Sequence, residues 1–201
     1  MKVIGLCGGS GSGKGVVSSL FESRGVPAID TDTVYRELTL GDGPCTRALA
    51  GEFGKEIISA DGSLNRKVLG KIVFTDKDAK AKLKRLNEIA HQFILDETRR
   101  RLDIYRNQGY AAAIVDAPVL FESCFDSECD IIISVVADRE VRIRRIMIRD
   151  NIDRESAEAR IDSQLSDNEI ILRSDFVIRN DSDLTALDER VCEVAHLILD
   201  N

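Results

Sequence analysis

Five short runs of apolar, largely β-branched residues are spaced along the chain, and each has the length of a strand buried in a sheet. The runs are Val3–Cys7, Pro27–Asp30, Ala113–Asp116, Ile131–Ala137 and Phe176–Arg179. Several are apolar without alternation, which indicates that both faces of the strand are covered, as they are in a parallel sheet. The pattern therefore predicts a parallel sheet of five strands.

Segments with helical periodicity separate these runs. Gly15–Arg24 follows the first strand, Arg139–Asp150 follows the fourth, and Glu155–Gln164 predicts a further helix. A C-terminal helix carries an apolar stripe that we expect to pack on the sheet. The stripe consists of Leu184, Leu187, Val191, Val194 and Ile198. Strands that alternate with helices predict a three-layer, doubly wound α/β fold, and with no linker we expect one domain over 1–201.

The interval between the second and third strands, residues 31–110, is far too long for one crossover helix. Within it, Lys77–Tyr105 is rich in helix-forming residues, and its apolar residues have helical spacing. These apolar residues are Leu83, Leu86, Ile89, Phe93 and Ile94. We therefore predict a helical insert at 31–110.

Composition limits the classes of function. Of the 201 residues, 43% are hydrophobic and 31% charged, which is ordinary for a globular protein. A net charge of −7 argues against nucleic acid as a partner, so an anionic ligand needs a local basic site. The five cysteines form no CxxC pair, which favours a reducing cytoplasm over a disulfide framework. We expect no secretion signal and no membrane span, because no stretch approaches ~20 apolar residues.

Residues 8–14 read Gly-Gly-Ser-Gly-Ser-Gly-Lys, which is the spacing of a Walker A phosphate loop between a predicted strand and a predicted helix. Its amides and the helix N-terminus can bind phosphates, and Lys14 can follow the transferred phosphoryl group. The alternative is a glycine-rich turn without a ligand. We predict ATP contacts at Gly9, Ser10, Gly11, Ser12, Gly13, Lys14, Gly15 and Val16.

One position departs from the Walker A pattern. Gly15 stands where serine or threonine usually follows the lysine, so the hydroxyl that would touch Mg²⁺ is absent. Because Mg²⁺ accepts several water ligands, it can be held largely by the nucleotide phosphates. We therefore predict no direct metal ligand in the loop, with Asp116 or a water molecule as the candidate contact.

Aspartates follow two of the strands. Asp30 and Asp32 stand at the end of the second strand, on the edge where open α/β sheets bind ligands. Asp32 is our candidate base that orients an acceptor hydroxyl and takes its proton, with Asp30 in support. The alternative is a helix cap or a turn. Asp116 ends the third strand in the general Walker B arrangement, as a partner for Mg²⁺.

An arginine-rich helix is predicted within Asp138–Asp150, and Arg142, Arg145 and Arg149 share one of its faces. Guanidinium groups on a closing lid, which we place at 138–165, can bind the γ-phosphate oxygens and exclude water. The alternative is a solvated helix whose arginines pair with neighbouring acids. We expect at least one of the arginines to contact phosphate.

These motifs together resemble those of the dephospho-CoA kinase family. The segments that carry the resemblance are Gly5–Lys14, Ile29–Asp32, Arg66 ahead of Val73-Phe74, Asp116–Glu122 and Asp175–Asn180. They occur in the order and spacing of the family and span nearly the whole chain. Besides Gly15, the departures are Gln92 after His91, where the family usually has proline, and Val119 in place of a leucine.

The resemblance implies a P-loop kinase fold with a nucleotide-binding core, a helical CoA-binding insert and a mobile lid. It implies transfer of phosphate from ATP, with Mg²⁺, to the ribose 3′-hydroxyl of dephospho-CoA. Lys14 and the lid residues Arg145 and Arg149 would bind ATP phosphates, with Lys14, Arg145 and Asp32 catalytic. Asn180 would lie near the adenine. The residues that would contact dephospho-CoA are Asp32, Arg66, His91, Asp116 and Leu120.

Three other interpretations remain open. Another small-molecule kinase, such as a nucleoside-monophosphate kinase, is favoured mildly by Gly15, but a monophosphate acceptor is already ionised and needs no base such as Asp32. A GTPase-like switch usually carries an N-K-x-D motif, which this sequence lacks. A kinase-like protein that binds ATP without catalysis is disfavoured by the retention of Lys14 and Asp32. For the assembly we expect a monomer or a small homo-oligomer.

Overall fold

The structure, a computed structural model, describes residues 1–75 and 78–199. The chain divides into two compact units. The first contains Met1–Asp30 and the chain from Leu102 onward, and the second contains Thr31–Arg101. Residues 102–110, which the sequence analysis assigned to the insert, group with the sheet.

A five-stranded parallel sheet forms the centre of the first unit, as predicted. Its strands are β1 Lys2–Cys7, β2 Ala28–Asp30, β3 Ala112–Asp116, β4 Ile131–Val136 and β5 Phe176–Arg179, in the order β2-β3-β1-β4-β5. All five residues of β3 are buried, which explains why the run is apolar without alternation. The predicted strand bounds differ from these by at most one residue at either end.

The helices follow in chain order, together with 3₁₀ turns at Lys55–Ile57 and Phe125–Glu128. They are α1 Lys14–Glu22, α2 Thr31–Leu38, α3 Pro44–Phe53, α4 Arg66–Phe74, α5 Ala79–Asn107, α6 Arg139–Asp150, α7 Arg154–Asp162, α8 Asp167–Leu172 and α9 Leu184–Leu199. The prediction of α6 matches at both ends. The predicted start of α5, Lys77, lies outside the described residues. Among the described residues, no helix is long and apolar enough to cross a membrane.

The core of the first unit joins the sheet to α1 and α9. Phe21 of α1 is fully buried there beside the apolar residues of β1, β3 and β4. On α9, Leu187, Val191 and Ile198 are buried as predicted. The prediction was wrong for Leu184, which is 62% exposed because it is the first residue of the helix, ahead of the packed turns.

The second unit has an apolar core of its own, built by α2, α3, α4 and the part of α5 that belongs to it. Its buried members are Cys45, Leu49, Phe53, Ile57, Leu64, Leu69 and Val73. Leu83, Leu86, Ile89 and Phe93 of α5 pack against them, which explains the helical spacing of these residues in the sequence.

Helices α6 and α7 form a smaller cluster within the first unit, around Ile143, Ile146, Ala157 and Ile161. Both helices begin at an aspartate cap. Asp138 accepts from the N–H of Glu140, and Asp153 accepts from the N–H of Ser156. The apolar contacts pack one face of α6 against α7.

The packing of α9 predicts opposite results for two identical substitutions on that helix. We expect Leu187→Ala to lower the free energy of unfolding by about 2–5 kcal/mol, because it leaves a cavity in the core. Leu184→Ala should change it by less than about 0.5 kcal/mol, because that side chain is mostly in solvent. Urea denaturation followed by circular dichroism measures both, and equal losses would contradict the packing described.

Candidate active site

The loop between β1 and α1 follows a path that requires glycine. Gly11 and Gly13 have φ of 78° and 91°, in the left-handed region. A Cβ atom on Gly13 would lie 2.0 Å from Nδ2 of Asn180. Gly13 is also the N-cap of α1, and no side chain of the described residues caps this helix end. The first amides of α1 are therefore available to an anion.

Lys14 and Asp116 form an ion pair beside this loop. Nζ of Lys14 donates to Oδ1 of Asp116, and the two side chains are only 15% and 7% exposed. Asp116 ends β3, in register with Leu6 of β1 and Asp30 of β2. The pair therefore links the lysine of the loop to the carboxyl edge of the sheet, where both charges are compensated.

Arg145 and Asn180 hold the carbonyl groups of the loop. Nη1 of Arg145 donates to the carbonyl oxygens of Gly11, at 3.2 Å, and Ser12, at 3.4 Å, and Nη2 donates to that of Asn180 at 3.1 Å. Nδ2 of Asn180 donates to the oxygen of Ser12 at 2.8 Å. The structure thus brings both predicted residues to the loop, where they fix its backbone.

Arg142 has a larger part in this arrangement than the sequence analysis gave it. Its side chain is 4% exposed, Nε donates to the carbonyl oxygen of Ser10 at 2.9 Å, and Nη1 donates to Oδ1 of Asp167 at 2.7 Å. The signal in the sequence was its spacing of three residues from Arg145, which places both on one face of α6.

Gln164 is a loop contact that the sequence analysis missed. The N–H of Ser10 donates to Oε1 of Gln164 at 2.8 Å. Gln164 lies just beyond the C-terminal end of α7, and in the sequence it was only the last residue of a predicted helix. A single polar residue after a helix carries no periodic signal, so no pattern pointed to it.

The residues around the loop fit a bound phosphate. Oγ of Ser12 and Nη2 of Arg142 are buried and have no hydrogen-bond partner among the described residues. Both are donors, and an anionic oxygen is the acceptor that such donors lack. No cluster of three or more His, Cys, Asp or Glu side chains in the described part of the chain is arranged to hold a metal ion. Asp30 and Asp116 are the carboxylates that end neighbouring strands beside the loop.

Four further predicted residues of the first unit lie in surroundings that differ from one another. Arg149 pairs with the neighbouring Asp150 through Nε and Nη2, both at 2.8 Å, and its side chain is 58% exposed. Leu120 is fully buried against Gly5 of β1, so its side chain reaches no surface. Gly15 faces open space, and Val16 is 44% exposed.

Three predicted residues belong to the second unit. Asp32 lies in the first turn of α2, which begins directly after the last residue of β2. Arg66 begins α4, where Nη2 donates to Oγ1 of Thr39 at 3.1 Å and the guanidinium lies 5.2 Å from the ring centre of Tyr35. His91 is half-buried on α5. Tyr35 was not among the predicted residues.

Cys7, the residue before the loop, is not a nucleophile in this environment. Burial raises the pKa of its thiol to about 11, so the group stays protonated at neutral pH. The thiolate that a cysteine nucleophile needs is therefore not formed there.

Two glycines, one in the loop and one at the start of α1, allow a test of this geometry by the same substitution. We expect Gly13→Ala to lower the free energy of unfolding by more than about 1 kcal/mol, because φ is positive there and the methyl group would collide with Asn180. Gly15→Ala should raise it by about 0.5–1 kcal/mol, since the site is open and lies within α1. Chemical denaturation measures both, and a loss for both variants would contradict the loop path.

Comparison with known proteins connects this geometry to a family. The dephospho-CoA kinase family model matches residues 2–186. A dephospho-CoA kinase from Syntrophotalea carbinolica is 35% identical over 199 residues, covering 98% of this chain and 93% of the relative. One from Listeria monocytogenes is 37% identical over 190 residues, covering 94% of each chain. A solved structure from Thermus thermophilus has a TM-score of 0.80 and 26% identity, covering 98% of this chain and 96% of that one. The match extends over both units, and the chain belongs to the dephospho-CoA kinase family.

Proposed function

We propose that this protein transfers the γ-phosphoryl group of ATP to the ribose 3′-hydroxyl of dephospho-CoA, giving coenzyme A and ADP. The observation that carries the proposal is the phosphate loop, whose carbonyls are held by Arg142, Arg145 and Asn180, in a chain that matches this family over residues 2–186. ATP supplies the phosphoryl group, and the loop amides, the N-terminus of α1 and Lys14 would bind its phosphates.

Lys14 would bind the phosphates of ATP, and Asp116 would hold the ammonium group of Lys14 in position. With phosphate oxygens in the loop, the ammonium of Lys14 would have an anionic partner on either side, Asp116 behind it and the nucleotide in front. Mg²⁺ would enter with the nucleotide and neutralise part of its charge. Because Gly15 offers no hydroxyl, water would take the ligand position that serine occupies in other phosphate loops.

Asp32 is the residue we propose for the acceptor hydroxyl. A hydroxyl group is a weak nucleophile, and a carboxylate within hydrogen-bond reach can orient it and accept its proton. Arg66 and His91 are proposed contacts for the rest of the acceptor, and Tyr35 supports the guanidinium of Arg66. Arg149 is exposed on α6, and we propose that it meets the phosphates when the lid at 138–165 closes.

We also propose a cytoplasmic location. All five cysteines are free, and a reducing compartment suits a chain with that many unpaired thiols. The proposed partners are the small molecules ATP and dephospho-CoA, and the net charge of −7 remains our reason to expect no nucleic acid. A monomer or small homo-oligomer stays a prediction.

Turnover with different acceptors tests the proposed reaction. We expect ADP release with ATP, Mg²⁺ and dephospho-CoA, and none above background with AMP, CMP or a nucleoside. Asp32→Asn should lower the rate by roughly 10²–10⁴ with ATP affinity unchanged, because only proton transfer is lost. Asp42→Asn is the matched control, since Asp42 is an exposed acid of the same unit that pairs with Arg47.

Each other outcome has a definite meaning. Turnover with AMP or CMP would move the protein to the nucleoside-monophosphate kinases. ATP binding without turnover on any acceptor would favour a binding protein. An equal loss in Asp32→Asn and Asp42→Asn would remove Asp32 from its role as the base.

The open space at Gly15 permits a test of metal binding. Gly15→Ser should fit without displacing a neighbour, because nothing beyond the adjoining residues and the backbone of α1 lies within 4 Å of the added Cβ. If water replaces the missing hydroxyl, the serine variant should need less Mg²⁺ for half-maximal rate than the unaltered protein. Gly15→Ala, which adds the carbon without the hydroxyl, is the control, and the same shift in both variants would refute the idea.

A further inference from the structure

The two backbone polar groups of Ser10 are held by side chains of two neighbouring elements. The N–H of Ser10 donates to Oε1 of Gln164 at 2.8 Å, and its carbonyl oxygen accepts from Nε of Arg142 at 2.9 Å. Arg142 is in turn paired with Asp167 at 2.7 Å. The segment 164–167 is therefore connected to the phosphate loop through an amide on one side and a carbonyl on the other.

These two connections respond differently to a phosphate. The guanidinium of Arg142 donates to the carbonyl oxygen of Ser10. A phosphate oxygen is an acceptor, so it cannot replace Arg142 as the donor to that carbonyl. Gln164 presents an acceptor to a loop N–H, which is the kind of group that phosphate oxygens occupy in a Walker A loop. The carboxamide and a nucleotide phosphate are thus two acceptors for one donor.

The surroundings leave room for the carboxamide to move. Gln164 is half-buried and lies beyond the last turn of α7. It borders a cleft of about 350 Å³, also lined by Arg139, Ile161, Leu165 and Asn168. A side chain released from Ser10 can turn into this cleft without unfolding α7.

We propose that Gln164 is a positioning residue that occupies the Ser10 amide when the loop holds no nucleotide and gives it up to a phosphate oxygen. Nucleotide binding then releases Gln164 from the loop, while Arg142 and Asp167 keep their contacts. The inference rests on the proposed binding of ATP to this loop. The carboxamide of Gln164 would compete with ATP for the Ser10 amide. The attachment of the segment 164–167 to the loop would therefore depend on the nucleotide.

Competition predicts effects of opposite sign for two variants. Gln164→Met keeps the length of the side chain but removes the carboxamide acceptor, so ATP should bind more tightly by roughly two- to ten-fold, the value of one hydrogen bond. Gln164→Glu makes the acceptor a carboxylate, which binds the amide more strongly and repels phosphate, so ATP should bind more weakly.

Isothermal titration with ATP and Mg²⁺ measures these affinities, and thermal unfolding without nucleotide measures stability. In Gln164→Met we expect the melting temperature to fall while ATP affinity rises, because one hydrogen bond is lost and one competitor is removed. A purely structural glutamine would give a loss in both. Gln108→Met and Gln108→Glu are matched controls, since Gln108 is exposed beyond the end of α5, and they should change neither quantity.

The outcomes separate this inference from the proposed function. If the unaltered protein binds ATP and both Gln164 variants bind it more weakly, Gln164 supports the loop and the competition is refuted, while the proposed function stands. If Gln164→Met leaves ATP affinity unchanged, the inference also fails alone. If the unaltered protein binds no ATP, the proposed function and this inference fail together.

Discussion

The arrangement of the active site depends on donors for three consecutive carbonyl groups. When the amides of a phosphate loop turn towards an anion, its carbonyl oxygens turn the other way and need partners of their own. Here the oxygens of Ser10, Gly11 and Ser12 accept from Arg142, Arg145 and Asn180. Without these donors the loop would have unsatisfied carbonyls that are at least partly buried, and the path that points its amides at a ligand would be costly. Helix α6 and the end of β5 therefore hold the loop in shape.

This requirement changes the interpretation of the arginine-rich helix. The sequence shows that Arg142, Arg145 and Arg149 share a face, but spacing alone does not distinguish a donor to phosphate from a donor to a carbonyl. In the structure, the first two bond to loop carbonyls and Arg149 pairs with Asp150 at the surface. A guanidinium group can donate to either type of acceptor. Which acceptor each arginine reaches depends on the distance between α6 and the loop, and tertiary packing sets that distance.

The same distinction separates what was predictable from what was not. The five strands were found to within one residue because buried parallel strands are continuous apolar runs, and α6 was also found in full, with Asp138 and Asn151 as its caps in the structure. Gln164 was missed because its partner, Ser10, is 154 residues away in the chain. Leu184 was assigned to the packed stripe because periodicity does not show where packing begins. Leu120 lies in the Asp116–Glu122 motif, from which a substrate contact was predicted, but its side chain fills the space beside Gly5.

The charges around the loop explain why a triphosphate needs more cations than this site supplies. Lys14 is balanced by Asp116 and Arg142 by Asp167, so each pair is close to neutral. Arg145 remains, with its donors directed at carbonyl oxygens rather than at an acid. The single guanidinium of Arg145, with the amides and the end of α1, cannot neutralise the several negative charges of a triphosphate. The Mg²⁺ that we propose to enter with ATP would supply part of the remaining positive charge, and a mobile cationic side chain would supply more. Arg149 remains our candidate for such a side chain, because solvent screens its pairing with Asp150 and little free energy is lost when that pair breaks.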